Sequence, residues 1–187
     1  SAMPELLVLH IDGSEHPMPP SGIALLSNAL AECSHLQALQ MSNLELTDDA
    51  VCMLAPFFHT QLQLYYLDLS ENKISAKGLE SWYLELFERL RVLHLHCNQL
   101  GGAGARILSN CLPRMKDIEE LFLGTNGLGK DGTIILAPVL QELKGLRRLD
   151  YEGNDIGNDG IAALAACLPT LPCLKTRSEE RRVGKEC

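Results

Sequence analysis

His94 and His96, one residue apart and followed at once by Cys97, are the residues of this chain best equipped for chemistry. In extended backbone alternate residues share a face, so the two imidazoles stand roughly 7 Å apart on one side of the chain. Asp68 holds the matching position of the preceding segment and would lie about 4.8 Å away, one strand spacing across. Two imidazoles and a carboxylate can ligate a transition metal, which makes a metal site one reading. The leading reading is different. These are outward positions of a repeated strand, where residue type varies to suit a partner, and no metal or cofactor is expected.

The choice rests on the elements that hold these residues, and those elements repeat. Segments "LYYLDLSENKI", "LRVLHLHCNQL", "IEELFLGTNGL" and "LRRLDYEGNDI" all fit L-x-x-L-x-L-x-x-N-x-L, with apolar residues substituting for leucine. "LQALQMSNLEL" fits with Leu44 in place of the asparagine, and a degenerate first copy starts at Leu6. The second leucines are Leu9, Leu39, Leu67, Leu93, Leu121 and Leu149, in steps of 30, 28, 26, 28 and 28. L-x-L alternation predicts a strand with one buried face. After each asparagine, a glycine (Gly78, Gly104, Gly132 or Gly160) and leucines at helical spacing predict a helix. A strand and a helix in about 28 residues cannot bury their faces alone, so the copies must stack. Asn72, Asn98, Asn126 and Asn154 then form a ladder whose amides bond the backbone where each coil leaves its strand. The residue before each ladder asparagine (Glu71, Cys97, Thr125, Gly153) reads as free to vary.

The pattern resembles leucine-rich repeats, and the long helical half, as in "NDIGNDGIAALAACL", resembles their ribonuclease-inhibitor-like class. The resemblance runs from about Leu6 to Leu174. It implies an α/β fold: a right-handed solenoid, or horseshoe, with a parallel concave sheet and convex helices. It also implies a non-enzymatic array that docks or senses other proteins, as in the repeat regions of NOD-like receptors. "LFLGTNGLGKDG" further resembles a segment of the Ran GTPase-activating proteins of the same class, which gives an alternative function. That family places an asparagine just before the ladder asparagine. Here the position is Thr125, which has no amide.

Composition narrows the partner. The 187 residues carry a formal net charge of −8, which disfavours a nucleic-acid backbone or an anionic membrane. No apolar run approaches the ~18 residues needed to span a bilayer. Seven scattered cysteines without a C-x-x-C pair do not make a disulfide framework, and they favour a reducing, cytoplasmic compartment. No phosphate loop, G-x-S-x-G or H-E-x-x-H occurs. The expected partner is another protein.

Two domains of unequal standing follow. Residues 1–176 form an array of about six repeats, expected to be a fragment of a longer one. From Arg177 the period stops, and "RSEERRVGKEC" resembles translated sequencing-adapter DNA, so residues 177–187 are set aside as a non-native tail. The strand register places Val8, His10, Asp12, Ala38, Gln40 and Ser42 on the concave face. Tyr66, Asp68, Ser70, His94, His96, Glu120, Phe122, Gly124, Arg148, Asp150 and Glu152 follow. The expected contact set is Tyr66, Asp68, His94, His96, Glu120, Phe122, Arg148, Asp150 and Glu152, with Tyr66 and Phe122 as anchors. Trp82, Tyr83, Leu86 and Phe87 are expected to pack on the convex helix of their repeat.

Overall fold

The computed structural model of the chain describes residues 6–13, 18–33, 35–60, 63–81 and 88–178, with side chains as far as residue 175. Trp82, Tyr83, Leu86, Phe87 and the tail beyond residue 178 lie outside the described residues. Seven strands form one parallel sheet in chain order: β1 (Val8–Asp12), β2 (Ala38–Ser42), β3 (Tyr66–Asp68), β4 (Val92–His94), β5 (Glu120–Phe122), β6 (Arg148–Asp150) and β7 (Thr176–Ser178). Between them run α1 (Pro20–Ala31), α2 (Asp48–Thr60), α3 (Ala76–Glu80), α4 (Gly101–Cys111), α5 (Gly129–Leu140) and α6 (Gly157–Cys167). Each helix packs on the next along one side of the sheet, α5 against α6 and α4 against α5 most extensively. This is the solenoid that the repeat requires.

The register shows why the leucines recur. Leu9, Leu39, Leu67, Leu93, Leu121 and Leu149 pair strand to strand as direct neighbours. The column is buried almost completely from Leu39 onward, and columns above and below it (Leu36, Leu64, Leu90; Leu69, Leu95, Leu123) are buried as well. Helix residues Leu54, Leu79, Leu108, Leu136 and Leu164 close the core from the convex side. β7 continues the column with Arg177 opposite Leu149. Parallel pairing is a main-chain interaction and needs no leucine, so the ladder runs one strand past the end of the sequence period.

Two residues show how closely the coils stack. A Cβ on Gly132 would lie 2.9 Å from the Ala105 Cβ, so only glycine lets α5 approach α4 at that point. Tyr151, just after β6, stands where the preceding repeats have Leu69, Leu95 and Leu123, and it is buried with its hydroxyl 3.3 Å from Thr133 Oγ1. Burial pushes the Tyr151 phenol up to about 12. Tyr151→Phe is expected to cost about 1 kcal/mol, the worth of one neutral hydrogen bond, read as a small fall in melting temperature.

The asparagine ladder is built as expected. Asn72 Nδ2 donates to Met41 O, Leu69 O and Ser70 O at 2.9–3.0 Å, and its Oδ1 accepts from Leu44 N and Leu46 N at 3.1 and 2.9 Å. Asn154 repeats this scheme, with Leu123 O, Tyr151 O and Glu152 O as acceptors and Asn126 N and Leu128 N as donors. Asn98 donates to Leu69 O, Leu95 O and His96 O, and accepts from Ile74 N. Asn126 keeps its donor bonds to Leu95 O, Leu123 O and Gly124 O, but its Oδ1 has no partner among the described residues. Each amide therefore ties its own coil to the one before it.

Candidate partner-binding site

The concave face is organised around rings. Three neighbouring strands present Tyr66 (β3), His94 (β4) and Phe122 (β5); the parallel register sets His94 opposite Phe122 and places Tyr66, opposite Val92, diagonal to His94. Tyr66 meets His94 edge-on at 5.5 Å between centroids, and His94 lies 4.2 Å from Phe122. His96, two residues further along, is 6.0 Å from His94 and 6.3 Å from Phe122. On β6 the Arg148 guanidinium stands 5.3 Å over the Phe122 ring, while its Nη1 meets Glu120 Oε2 at 3.1 Å. The result is one stripe of rings across three strands, closed at one end by a paired cation on the fourth. Tyr66, His94, His96, Glu120 and Phe122 are half-buried, and Arg148 is exposed.

Asp68 belongs to this cluster in a different way. It is only 5 % exposed, so it supports the face more than it contacts a partner. Its Oδ1 accepts from Ser70 N (2.9 Å) and Ser70 Oγ (2.6 Å), and its Oδ2 lies 3.5 Å from His94 Nδ1. Burial alone would push the Asp68 carboxyl up, but the hydrogen bonds from His94 and Ser70 outweigh it and hold the group below its usual value. Asp150 repeats the turn, accepting from Glu152 N at 3.1 Å, with its carboxylate against Gly124. Asp150 and Glu152 are half-buried at the far side of the face.

The metal reading of His94, His96 and Asp68 does not survive this geometry. Among the described residues no group of His, Cys, Asp and Glu converges as a metal site. His94 turns Nδ1 toward Asp68, and its Nε2 is buried without a partner, as is Nδ1 of His96. Both nitrogens are buried among the neighbouring tilted rings.

Burial pushes the His96 imidazole below its ordinary value of 6.5; the carboxylate of Asp68 opposes this and neighbouring His94 adds to it. A histidine whose folded value is depressed contributes stability above its unfolded value and loses it as pH falls through the folded one. His96→Gln is therefore expected to flatten the decline of melting temperature between about pH 7 and pH 5 relative to the unaltered chain. Asp68 acts in a lower window, because its contribution disappears only as pH falls below the ordinary carboxyl value of 3.8.

The exits of the strands hold a feature that the sequence reading missed. The positions before the ladder are not free. Asn43, Glu71, Cys97, Thr125 and Gly153 all adopt left-handed backbone, with φ of 55, 57, 54, 51 and 67°. Only Asn43 and Gly153 are types that favour this conformation, and they were the available signal. Thr125 is β-branched, so it carries backbone strain there. Thr125→Gly is expected to raise stability by about 1 kcal/mol, measured by denaturant midpoint. Beside this row lies a cleft of about 380 Å³ lined in part by Glu45, Glu71, Lys73, Gln99 and Thr125. Thr125, the position tied to the GTPase-activating alternative, is exposed at its edge and presents a hydroxyl and a methyl.

The comparisons agree with this architecture. A family model described as leucine-rich repeat matches residues 64–81, 90–109 and 146–165. No curated protein sequence matches the chain. Among solved structures, an internalin from Listeria monocytogenes aligns at 20% identity and a TM-score of 0.60, over 96% of this chain and 49% of that one. The chain thus spans about half the length of that internalin. The C-terminal domain of a Caenorhabditis elegans tropomodulin aligns at 16% identity and TM-score 0.52, covering 90% of this chain and 86% of that chain. Actin-binding site 2 of leiomodin-1 aligns at 15% identity and TM-score 0.52, covering 90% and 82%. At these identities the likeness speaks for the fold. No helix among the described residues is long and apolar enough to cross a membrane.

Proposed function

From the premise that this chain is a leucine-rich-repeat protein, we propose that its concave sheet docks another protein, with Tyr66, His94 and Phe122 as the centre of contact. The observation that carries this reading is the ring stripe. Aromatic side chains on rigid neighbouring strands offer large contact area at little entropic cost, and such residues dominate interface energetics. Glu120, Arg148, Asp150 and Glu152 supply a polar margin, and Asp68 and His96 brace the centre. Actin-binding site 2 of leiomodin-1 shares the fold, which supports the use of such arrays as docking surfaces. We place the docking in cytoplasmic signalling or sensing; Cys33, Cys52, Cys111, Cys167 and Cys173 are free thiols, and Cys97, which is disulfide-bonded, is the exception.

The test is capture of cellular proteins by the full chain, by a Tyr66→Ala/Phe122→Ala variant and by an Ile161→Ser variant altered on the exposed face of α6. A protein held by the unaltered chain and by the Ile161 variant, but lost from the concave variant, is the expected result. Equal capture by all three contradicts it. Faster GTP hydrolysis by Ran on addition of the chain would instead favour the GTPase-activating alternative.

A further inference from the structure

Because every strand points the same way, every strand exit lies on one edge of the solenoid and every strand entry on the other. The two edges differ in charge. Entries carry Arg91, Arg114, Lys116, Lys144, Arg147 and Lys175 among fewer carboxylates. Exits carry the excess of acid, and the lysines there are already paired: Lys73 with Glu45 at 2.9 Å, Lys77 with Asp49 at 3.1 Å and Lys130 with Asp159 at 3.7 Å.

Part of this acid has a structural explanation. Asp48, Asp131 and Asp159 stand in the first turns of α2, α5 and α6, where the helix dipole favours negative charge. Asp48 also binds Ser75 N, Ser75 Oγ and Gly78 N of the next coil. Glu71 has no such role. It belongs to no helix, is exposed on left-handed backbone, and borders the cleft floored by Asn72 and Asn98. The cleft begins close to the ring cluster in the chain: Cys97, which lines it, directly follows His96 and stands three residues after His94.

Resting on the docking function proposed above, we propose that the partner is a basic segment. An aromatic or apolar residue of it lies on Tyr66, His94 and Phe122, and a lysine or arginine about three extended residues away enters the strand-exit cleft against Glu71. Three observations converge on this assignment. The cleft is large enough for a guanidinium group and its stem. Its polar walls include Gln99 and Thr125, which can accept hydrogen bonds through side-chain oxygens. The chain's net charge of −8 steers cationic partners toward it.

The experiment is selection of phage-displayed random peptides on the full chain, followed by affinity measurement of the selected peptides on variants whose melting temperatures are checked. Enriched peptides are expected to carry Lys or Arg within about three residues of an aromatic. Glu71→Lys is expected to weaken them about tenfold or more, Glu71→Gln about threefold, and Phe122→Ala about 30-fold. Peptides that need Phe122 but ignore Glu71→Lys would overturn the basic-segment assignment and leave concave docking standing. Peptides insensitive to both changes, or a selection that returns none, would overturn both. Acidic peptides lost on Arg147→Glu would move the site to the opposite edge and overturn the assignment.

Discussion

Asn72→Ala is expected to destabilise the fold by about 3–5 kcal/mol, because it strands several buried backbone groups at once. Leu44 N and Leu46 N lose the Oδ1 they share, and Met41 O, Leu69 O and Ser70 O lose a donor. Each buried group left unpaired costs about 1–3 kcal/mol, and the two N–H groups alone reach the lower end of the range. The loss is comparable to the whole stability of a marginal domain. At about 2–4 °C per kcal/mol for a chain of this size, the melting temperature should fall by roughly 10 °C or more. Asn72→Asp is expected to fail as well: it keeps an acceptor for the amides but turns a carboxylate oxygen toward three carbonyls. Asn158→Ala, at an exposed helix position outside the ladder, should stay within about 0.5 kcal/mol. Equal effects at 72 and 158 would show that the ladder does not join the coils. Asn72 and Asn154 are the informative sites, since Asn126 lacks the acceptor half of the scheme.

The second large effect is on binding. Phe122→Ala is expected to weaken the proposed partner by about 2 kcal/mol, a loss of roughly 30-fold, as truncation of a central interface aromatic does. Phe122 touches His94 at 4.2 Å and carries Arg148 above its ring, so its removal also unseats both neighbours. The cost to folding should be smaller, about 1 kcal/mol, because the ring is half-buried on the open face and outside the leucine core. The two readouts therefore separate. Titration of the captured partner against the variant should show weaker binding with a melting temperature lowered by only a few degrees. Arg148→Ala should act in the same direction and less strongly, since its charge is already shared with Glu120.

How much of this was legible in advance depends on which force sets each feature. The leucine columns were readable because stacking demands the same residue at the same place in every coil, and the register from Leu9 to Leu149 reproduces the sequence steps. The ladder was readable for the same reason. The lateral placement of Tyr66, His94 and Phe122 followed from alternation. Their stacking distances did not, because those depend on rotamers and neighbours. Asp68 was expected as a contact residue, yet its carboxylate is spent on Ser70 and His94; a D-x-S turn was the local signal. The left-handed row at Glu71, Cys97 and Thr125 was hidden, because the turn imposes φ there whatever the side chain. The segregation of charge between strand entries and exits becomes visible only once all strands are known to run parallel. β7 shows the opposite limit: backbone pairing carries on through Arg177, where side-chain periodicity has ended.

The most direct test of concave docking is photo-crosslinking with a benzophenone side chain placed at position 122 or at position 161 and the captured partner present. The account predicts an adduct from 122 and none from 161. Adducts from 161 alone would put the partner on the helices and contradict it.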